Sequence, residues 1–223
     1  LALADFLGMR KGKQAAETTF RDALRQLPYS MKIHLALAAL YERHQDYASA
    51  RALYDTLLKQ YDKKPTGLEV QVKIAQLDFT SGHPDAAERR LTEVLKVNPR
   101  SVEGLILQGQ MALSRRNGKE AVQAFRTVLR DQPELAHVQY LLGQAHVLAG
   151  EAPLARDSFE RTATLYPGHV DATLALAMLD SQQGQFQRSR ARLEEVLKKQ
   201  PAHFMALEML FALDLSTRDW IQA

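Results

Sequence analysis

The chain has 223 residues, of which 46% are hydrophobic and 25% charged, a composition typical of a folded protein and not of an extended disordered one. Its 29 basic and 26 acidic residues leave a net charge of only +3, which argues against nucleic acid or an anionic membrane surface as the partner. Cysteine is absent, which excludes disulfides and thiolate metal sites, and no apolar run approaches the ~20 residues needed to cross a bilayer.

The chain opens inside a helical pattern. Leu1 is not a methionine, and residues 1–9 lack the basic start and small-residue cleavage site of a signal peptide. We therefore expect the sequence to be a fragment of a longer protein.

Further along the chain, predicted helices are separated by evenly spaced prolines. The sequence numbers of four of them rise by 34 from one to the next: Pro99, Pro133, Pro167 and Pro201. The step from Pro28 to Pro65 is 37, which predicts a three-residue insertion at about 61–64. A fixed period of this length indicates tandem copies of one supersecondary unit.

Three other positions keep the same register. Except at Pro65, which follows the insertion, the residue 12 before each repeat proline is small and the residue 8 before it is large, as in Ala121 and Phe125. The residue 24 before it is also small: Ala4, Ala75, Gly109, Gly143 or Ala177. Small residues are required where two helices of one hairpin cross closely, because larger side chains would separate their axes. Each unit is therefore predicted to be a pair of antiparallel helices.

The ends of these helices are also marked. Gly82, Gly150 and Gly184 share one register position, midway between consecutive prolines, where the first helix of a unit must stop. Pro84 and Pro153 follow at the start of the second helix, where a missing N–H costs nothing.

This combination of small residues, a large residue and a terminal proline, repeated at a period of about 34 residues, resembles the tetratricopeptide repeat (TPR) family. The resemblance implies an all-α, right-handed superhelical solenoid of antiparallel helix hairpins in a single array over residues 1–223. We expect about seven repeats, the first and last incomplete: 1–30, 31–67, 68–101, 102–135, 136–169, 170–203 and 204–223.

One position departs from the family pattern. A bulky residue is expected one turn after the close helix crossing, and Tyr41 supplies it in the second repeat. Later units carry Asp78, Ala112, His146 and Asp180 instead, which predicts weaker packing at those interfaces.

The sequence offers little for chemistry. No two of its seven histidines have the i, i+4 spacing of a helical metal site, and no glycine-rich phosphate loop is present. His169 and His203, one repeat apart, indicate shared turn chemistry. The densest basic cluster is Arg188, Arg190 and Arg192, which we interpret as a solvated surface. We expect no catalytic residue, no metal site and no cofactor.

The resemblance implies that the first helices line a concave groove that binds peptides. Two register positions on these helices, one turn apart, give an apolar strip beside a ladder of glutamines. With Phe79 nearby, the predicted groove residues are Val72, Gln76, Phe79, Ile106, Gln110, Tyr140, Gln144, Leu174 and Met178. Amide side chains can both donate to and accept from an extended backbone, although a merely solvated helix surface explains them as well. The Lys and Asn pairs of carboxylate-clamping TPR proteins are missing.

The leading hypothesis is a non-catalytic scaffold for a protein or peptide partner, in style resembling bacterial arrays of envelope and exopolysaccharide-export systems. This favours the periplasm or cell envelope over the cytoplasm. The alternative is the regulatory array of a larger enzyme, such as a glycosyltransferase. A third hypothesis is self-assembly through apolar residues at the array ends: Leu1, Leu3, Phe6, Trp220 and Ile221.

Overall fold

The structure is a computed structural model that describes residues 2–61 and 65–217, with the backbone alone for residues 2–11 and 217. Throughout this part of the chain the regular elements are α-helices. In chain order they are α1 (Ala2–Gln26, interrupted by a non-helical kink at Gly12), α2 (Met31–Arg43), α3 (Tyr47–Tyr61), α4 (Pro65–Thr80), α5 (Pro84–Val97), α6 (Val102–Ser114), α7 (Gly118–Asp131), α8 (Ala136–Leu148), α9 (Ala152–Leu165), α10 (Val170–Gln182), α11 (Phe186–Lys199) and α12 (Phe204–Thr217). The predicted all-α class is confirmed.

The helices form two compact units, Leu1–Leu107 and Gln108–Ala223. Within each unit, helices that follow one another along the chain contact each other, as α4 does α5 and α8 does α9. The first unit has a core of buried side chains that includes Leu37, Tyr54 and Ile74. Division into seven repeats stays a prediction, as do end contacts through Leu1, Leu3, Phe6, Trp220 and Ile221, which fall outside the described side chains.

The turns inside the hairpins require a left-handed backbone. Gly82, Gly150 and Gly184 have φ values of 85°, 75° and 72°, as the helix-stop prediction requires. Gln45 and Arg116 occupy the same register position in other repeats. They adopt φ values of 58° and 57° although they are not glycine. A side chain is strained in this conformation because its Cβ approaches the following carbonyl.

Most repeat prolines lie in the turns between hairpins, as in the turn between α7 and α8 at Pro133. Pro65 differs, because it is the first residue of α4, where its fixed φ suits the start of a helix. Of the predicted insertion, Tyr61 ends α3, and residues 62–64 fall outside the described part.

The small residue in each first helix makes room for the large residue of the second. An ideal Cβ on Gly143 would lie 2.4 Å from Cε1 of Phe159, and one on Gly109 would lie 2.4 Å from Cε1 of Phe125. Both phenylalanines are buried, with at most 1% of their surface exposed. The close crossing predicted from the sequence is therefore confirmed at these two positions.

A buried aspartate lies at a third register position. Asp180 is fully buried, accepts a hydrogen bond from Nη1 of Arg156 at 2.6 Å, and accepts another from Nε of Arg192 at 2.9 Å. Arg156 belongs to the preceding hairpin and Arg192 to the same hairpin, so the carboxylate joins consecutive repeats. The interface that was expected to be weakly packed is bridged by ion pairs.

The same arrangement recurs in both units. Asp78 pairs with Arg51 of the preceding hairpin at 2.5 Å and lies 3.6 Å from Nε of Arg90. Asp214 pairs with Arg190 of the preceding hairpin. We call these contacts the aspartate–arginine pairs.

The interpretation of the basic cluster as a solvated surface is wrong for two of its three members. The side chains of Arg190 and Arg192 are only 12% and 23% exposed, because both reach inward to buried aspartates. Arg188 is more exposed, with its Nε 3.8 Å from Asp180.

Candidate functional site

In the first unit, the predicted groove residues differ in exposure. Val72 is almost fully buried, with only 3% of its surface exposed. Gln76, Phe79 and Ile106 are half-buried and keep part of their side chains accessible. A binding role for these residues stays a prediction.

In the second unit, a cavity of about 460 Å³ brings several predicted residues together. Four of them line it: Tyr140, Gln144, Leu174 and Met178. Gln110 is half-buried and does not belong to the lining. The volume lies within the range of about 300 to 1,000 Å³ that is usual for ligand sites.

The aromatic part of the lining is built on a glycine. Because Gly143 has no Cβ, the Phe159 ring can lie against α8. The Tyr140 ring then packs on Phe159 with a centroid distance of 5.7 Å, and on the His169 ring at 4.7 Å. His169 is held in turn, since its Nδ1 accepts from the backbone N–H of Ala172 at 3.3 Å.

His203 accepts in the same way from the N–H of Ala206, so the turn chemistry predicted for these two histidines is confirmed. The Tyr140 ring is held by its packing against both the Phe159 ring and the His169 ring.

Part of the cavity lining is polar. Nε2 of Gln144 donates a hydrogen bond to the Tyr140 hydroxyl at 3.1 Å, and Asp171 also lines the cavity. Burial raises the pKa of the Tyr140 phenol above its ordinary value; the Asp171 carboxylate raises it further, while the hydrogen bond from Gln144 acts in the opposite direction. The phenol therefore stays neutral and able to donate at physiological pH.

The lining is also rich in methionine. Met178, Met205 and Met209 all line the cavity, and the first two are 39% and 55% exposed. Methionine side chains are unbranched and polarizable, and they adapt to ligands of different shapes. An apolar side chain could therefore be accommodated without a rigid match.

Several lining residues lie outside the predicted set. Leu113 and Val147 occupy the register position of the predicted Phe79, one helical turn beyond the strip, and Ala175 and Met209 follow the first strip position on their own helices. The same period that gave the strip contained these positions. Which of them face a cavity depends on how neighbouring helices pack, which periodicity does not specify.

The described residues give little basis for other chemistry. No group of three or more His, Asp or Glu side chains among them lies close enough to hold a metal ion. Nor is any described helix both long and apolar enough to span a membrane.

Comparison with known proteins identifies the class. A family profile described as tetratricopeptide repeat matches residues 5–65, 72–134, 112–170 and 174–210. The chain belongs to the tetratricopeptide repeat family, whose members are in general non-catalytic scaffolds for other proteins.

Particular relatives are distant. Cellulose synthase 1 operon protein C of Komagataeibacter xylinus is 26% identical over 228 aligned residues, which cover 94% of this chain and 16% of that protein. The CTR9 homolog of Arabidopsis thaliana is 27% identical over 142 residues, covering 63% of this chain and 13% of that protein. The chain thus spans less than a fifth of the length of these curated relatives.

Among solved structures, the APC/C hetero-tetramer Cut9–Hcn1 contains a similar fold, with a TM-score of 0.77 and 15% identity. The match covers 95% of this chain and 45% of the other. At this identity the likeness concerns the fold alone.

Proposed function

We propose that this chain is a non-catalytic protein-interaction scaffold that binds a partner polypeptide along the first helices of its hairpins. The cavity of the second unit is the main contact. The observation that carries the proposal is the coincidence of two independent features: the register predicted Tyr140, Gln144, Leu174 and Met178 as groove residues, and these four side chains line one cavity.

The cavity suits a polypeptide for physical reasons. Its lining is mostly aliphatic, aromatic and thioether side chains, which gain free energy when an apolar side chain displaces water, at about 25 cal/mol per Å² buried. The Tyr140 hydroxyl and the Gln144 amide supply a donor and an acceptor at the edge, where a peptide backbone would need them. A few polar groups around an apolar cavity are the usual composition of a binding site.

The best residue for a test is Met178. Its side chain is 39% exposed, lies outside the buried core and lines the cavity, so Met178→Glu introduces a charge there. Tyr140 is less suitable, because its ring packs on Phe159 and His169 and its truncation would loosen the core. Gln182→Glu is the matched control: it adds the same charge to an exposed position of α10 outside the lining.

The experiment is a selection of peptides from a random phage-displayed library on the purified chain. We expect enriched peptides that bind the wild type and Gln182→Glu equally, and Met178→Glu at least tenfold more weakly, because burying an unpaired charge in an apolar site is unfavourable. Circular dichroism should show equal helicity in the three proteins. Enriched peptides that bind Met178→Glu as tightly as the wild type would refute the cavity as the main contact.

For the biological context, we propose a bacterial envelope or polysaccharide-export assembly. The support is the relative named for a cellulose synthase operon, whose match covers 94% of this chain. Fractionation of the source cells, with an antibody against this chain, tests it. Recovery with the envelope fraction is expected, and recovery with the cytoplasmic fraction alone would overturn it.

A further inference from the structure

The first helices of the second unit carry an unusual set of charges. Neither Lys nor Arg occurs in α8, α10 or α12. Their carboxylates are Asp171, Asp180, Glu208 and Asp214. Asp180 and Asp214 are buried in the aspartate–arginine pairs, whereas Asp171 and Glu208 are exposed. The accessible formal charge on these three helices is therefore negative at neutral pH, although the chain as a whole is basic.

One of the two exposed carboxylates lines the cavity, and the other is a sequence neighbour of residues that line it. Asp171 belongs to its lining, and it raises the pKa of the Tyr140 phenol, so its charge acts on the cavity edge. Glu208 lies in α12 between Met205 and Met209, which both line the cavity. An apolar cavity thus has one carboxylate in its lining, a second beside lining residues, and no Lys or Arg side chain on α8, α10 or α12.

A structural role accounts for only one of the two acids. Asp171 is in the first turn of α10, where a negative charge stabilises the helix dipole. Glu208 is the fifth residue of α12, beyond the first turn, where that effect has fallen off. The helix dipole therefore does not explain why both accessible charges at the cavity are acidic.

We infer, building on the proposed function, that the partner presents a large apolar side chain next to one or two Lys or Arg residues. The apolar side chain enters the cavity between Tyr140 and Met178, and the basic side chains reach Asp171 and Glu208 at its rim. Complementary charges at the rim of an interface set specificity and association rate more than affinity. The partner is thus distinguished from other apolar segments by its positive charge.

The same peptide selection tests this inference through the composition of its products. We expect the enriched peptides to combine Leu, Met, Phe or Trp with a neighbouring Lys or Arg. Asp171→Asn and Glu208→Gln should each weaken binding of the enriched peptides about two- to fivefold. In the double variant, peptide affinity should also depend less on salt concentration. Asp85→Asn is the control, because Asp85 occupies the same first-turn position in α5, outside the cavity.

The possible failures are distinct. Enriched peptides with neutral or acidic flanks that still depend on Met178 would overturn the charge inference and leave the proposed function standing. Basic peptides that bind both acid variants as well as wild type would also overturn it. If no enriched peptide depends on Met178, both the inference and the cavity function are lost.

Discussion

Replacement of Asp180 by alanine should destabilise the second unit more than any exposed substitution. Asp180 is fully buried, and the side chains of its partners Arg156 and Arg192 are only 15% and 23% exposed. Asp180→Ala removes acceptors 2.6 and 2.9 Å from two guanidinium groups that cannot lose their charge. Loss of one partner of a buried ion pair costs about 3 to 5 kcal/mol, because the other charge stays buried and uncompensated.

The chain carries apolar residues at the same three register positions in other repeats. Ala112 and Ala124 correspond to Asp180 and Arg192 two repeats earlier, and Val122 corresponds to Arg156 one repeat earlier. A triple variant, Asp180→Ala with Arg156→Val and Arg192→Ala, removes the stranded charges together with the carboxylate. We expect it to regain at least half of the stability that Asp180→Ala loses, because replacing a whole buried ion pair by apolar residues is often neutral.

Urea unfolding followed by circular dichroism measures both variants, and amide hydrogen exchange locates the loss. Amide exchange should accelerate in α9, α10 and α11, since repeat arrays are stabilised by contacts between neighbouring repeats. Asp180→Asn serves as a control that keeps the shape but not the charge. A loss below about 1 kcal/mol for Asp180→Ala, or a triple variant less stable than the single one, would refute the reasoning.

Three other predictions follow from the structure. Gly143→Ala places a Cβ 2.4 Å from Phe159, so we expect a net loss of about 1 to 2 kcal/mol in urea unfolding and weaker peptide binding, because Phe159 lines the cavity. Arg116→Gly relieves a φ of 57° and should raise the free energy of unfolding by about 1 kcal/mol in the same assay. Burial and then the Glu42 carboxylate raise the pKa of Tyr54, so its contribution to stability is complete below roughly pH 10 and falls as the pH rises above that value, where the unfolded phenol ionises. Denaturation across an alkaline pH series, compared with Tyr54→Phe, measures that fall.

Each of these predictions has a matched control. Gly109→Ala creates the same clash with Phe125, which is not a cavity residue, so equal loss of peptide binding in both glycine variants would contradict the first. Gly184→Ala makes the opposite change to Arg116→Gly at the equivalent turn and should destabilise; a shift of the same sign in both would contradict the second. An alkaline decline as steep in Tyr54→Phe as in the wild type would contradict the third.

The backbone of this fold could be predicted from the sequence because its requirements select particular residues. A left-handed turn favours glycine, as at Gly150, and a close helix crossing requires a residue such as Gly143. Both requirements recur at the repeat period and are visible without an alignment. Where another residue adopts the left-handed conformation, as Arg116 does, no glycine marks the turn in the sequence.

The cavity could be predicted only in part. Val72, Tyr140 and Leu174 share one register position, yet Val72 and Leu174 are 3% and 4% exposed while Tyr140 is half-buried. Register gives the face of the helix on which a side chain lies. The depth of that side chain depends on the size of its neighbours in the adjacent hairpins, which no single helix encodes.

The aspartate–arginine pairs were missed for a different reason. Within a single repeat, Asp78 and Asp180 only replace the expected bulky residue. The arginine that each aspartate contacts across the junction belongs to the preceding repeat. A signal was present: an arginine precedes Asp78, Asp180 and Asp214 at one register position, and Ala112 and His146 have Glu88 and Val122 there instead. Comparing pairs of positions across repeats would have detected it.

These pairs limit how the repeats could be rearranged during evolution or engineering. If recombination placed the hairpin with Asp180 directly after the one with Glu88, the register would put two carboxylates at the junction where an arginine is needed. A hairpin with Arg156 placed before the one with Ala112 would instead bring a buried guanidinium without an acceptor. A duplicated hairpin with a buried aspartate is thus accommodated only after a hairpin that carries the arginine, a requirement that the Asp180 hairpin itself meets through Arg190.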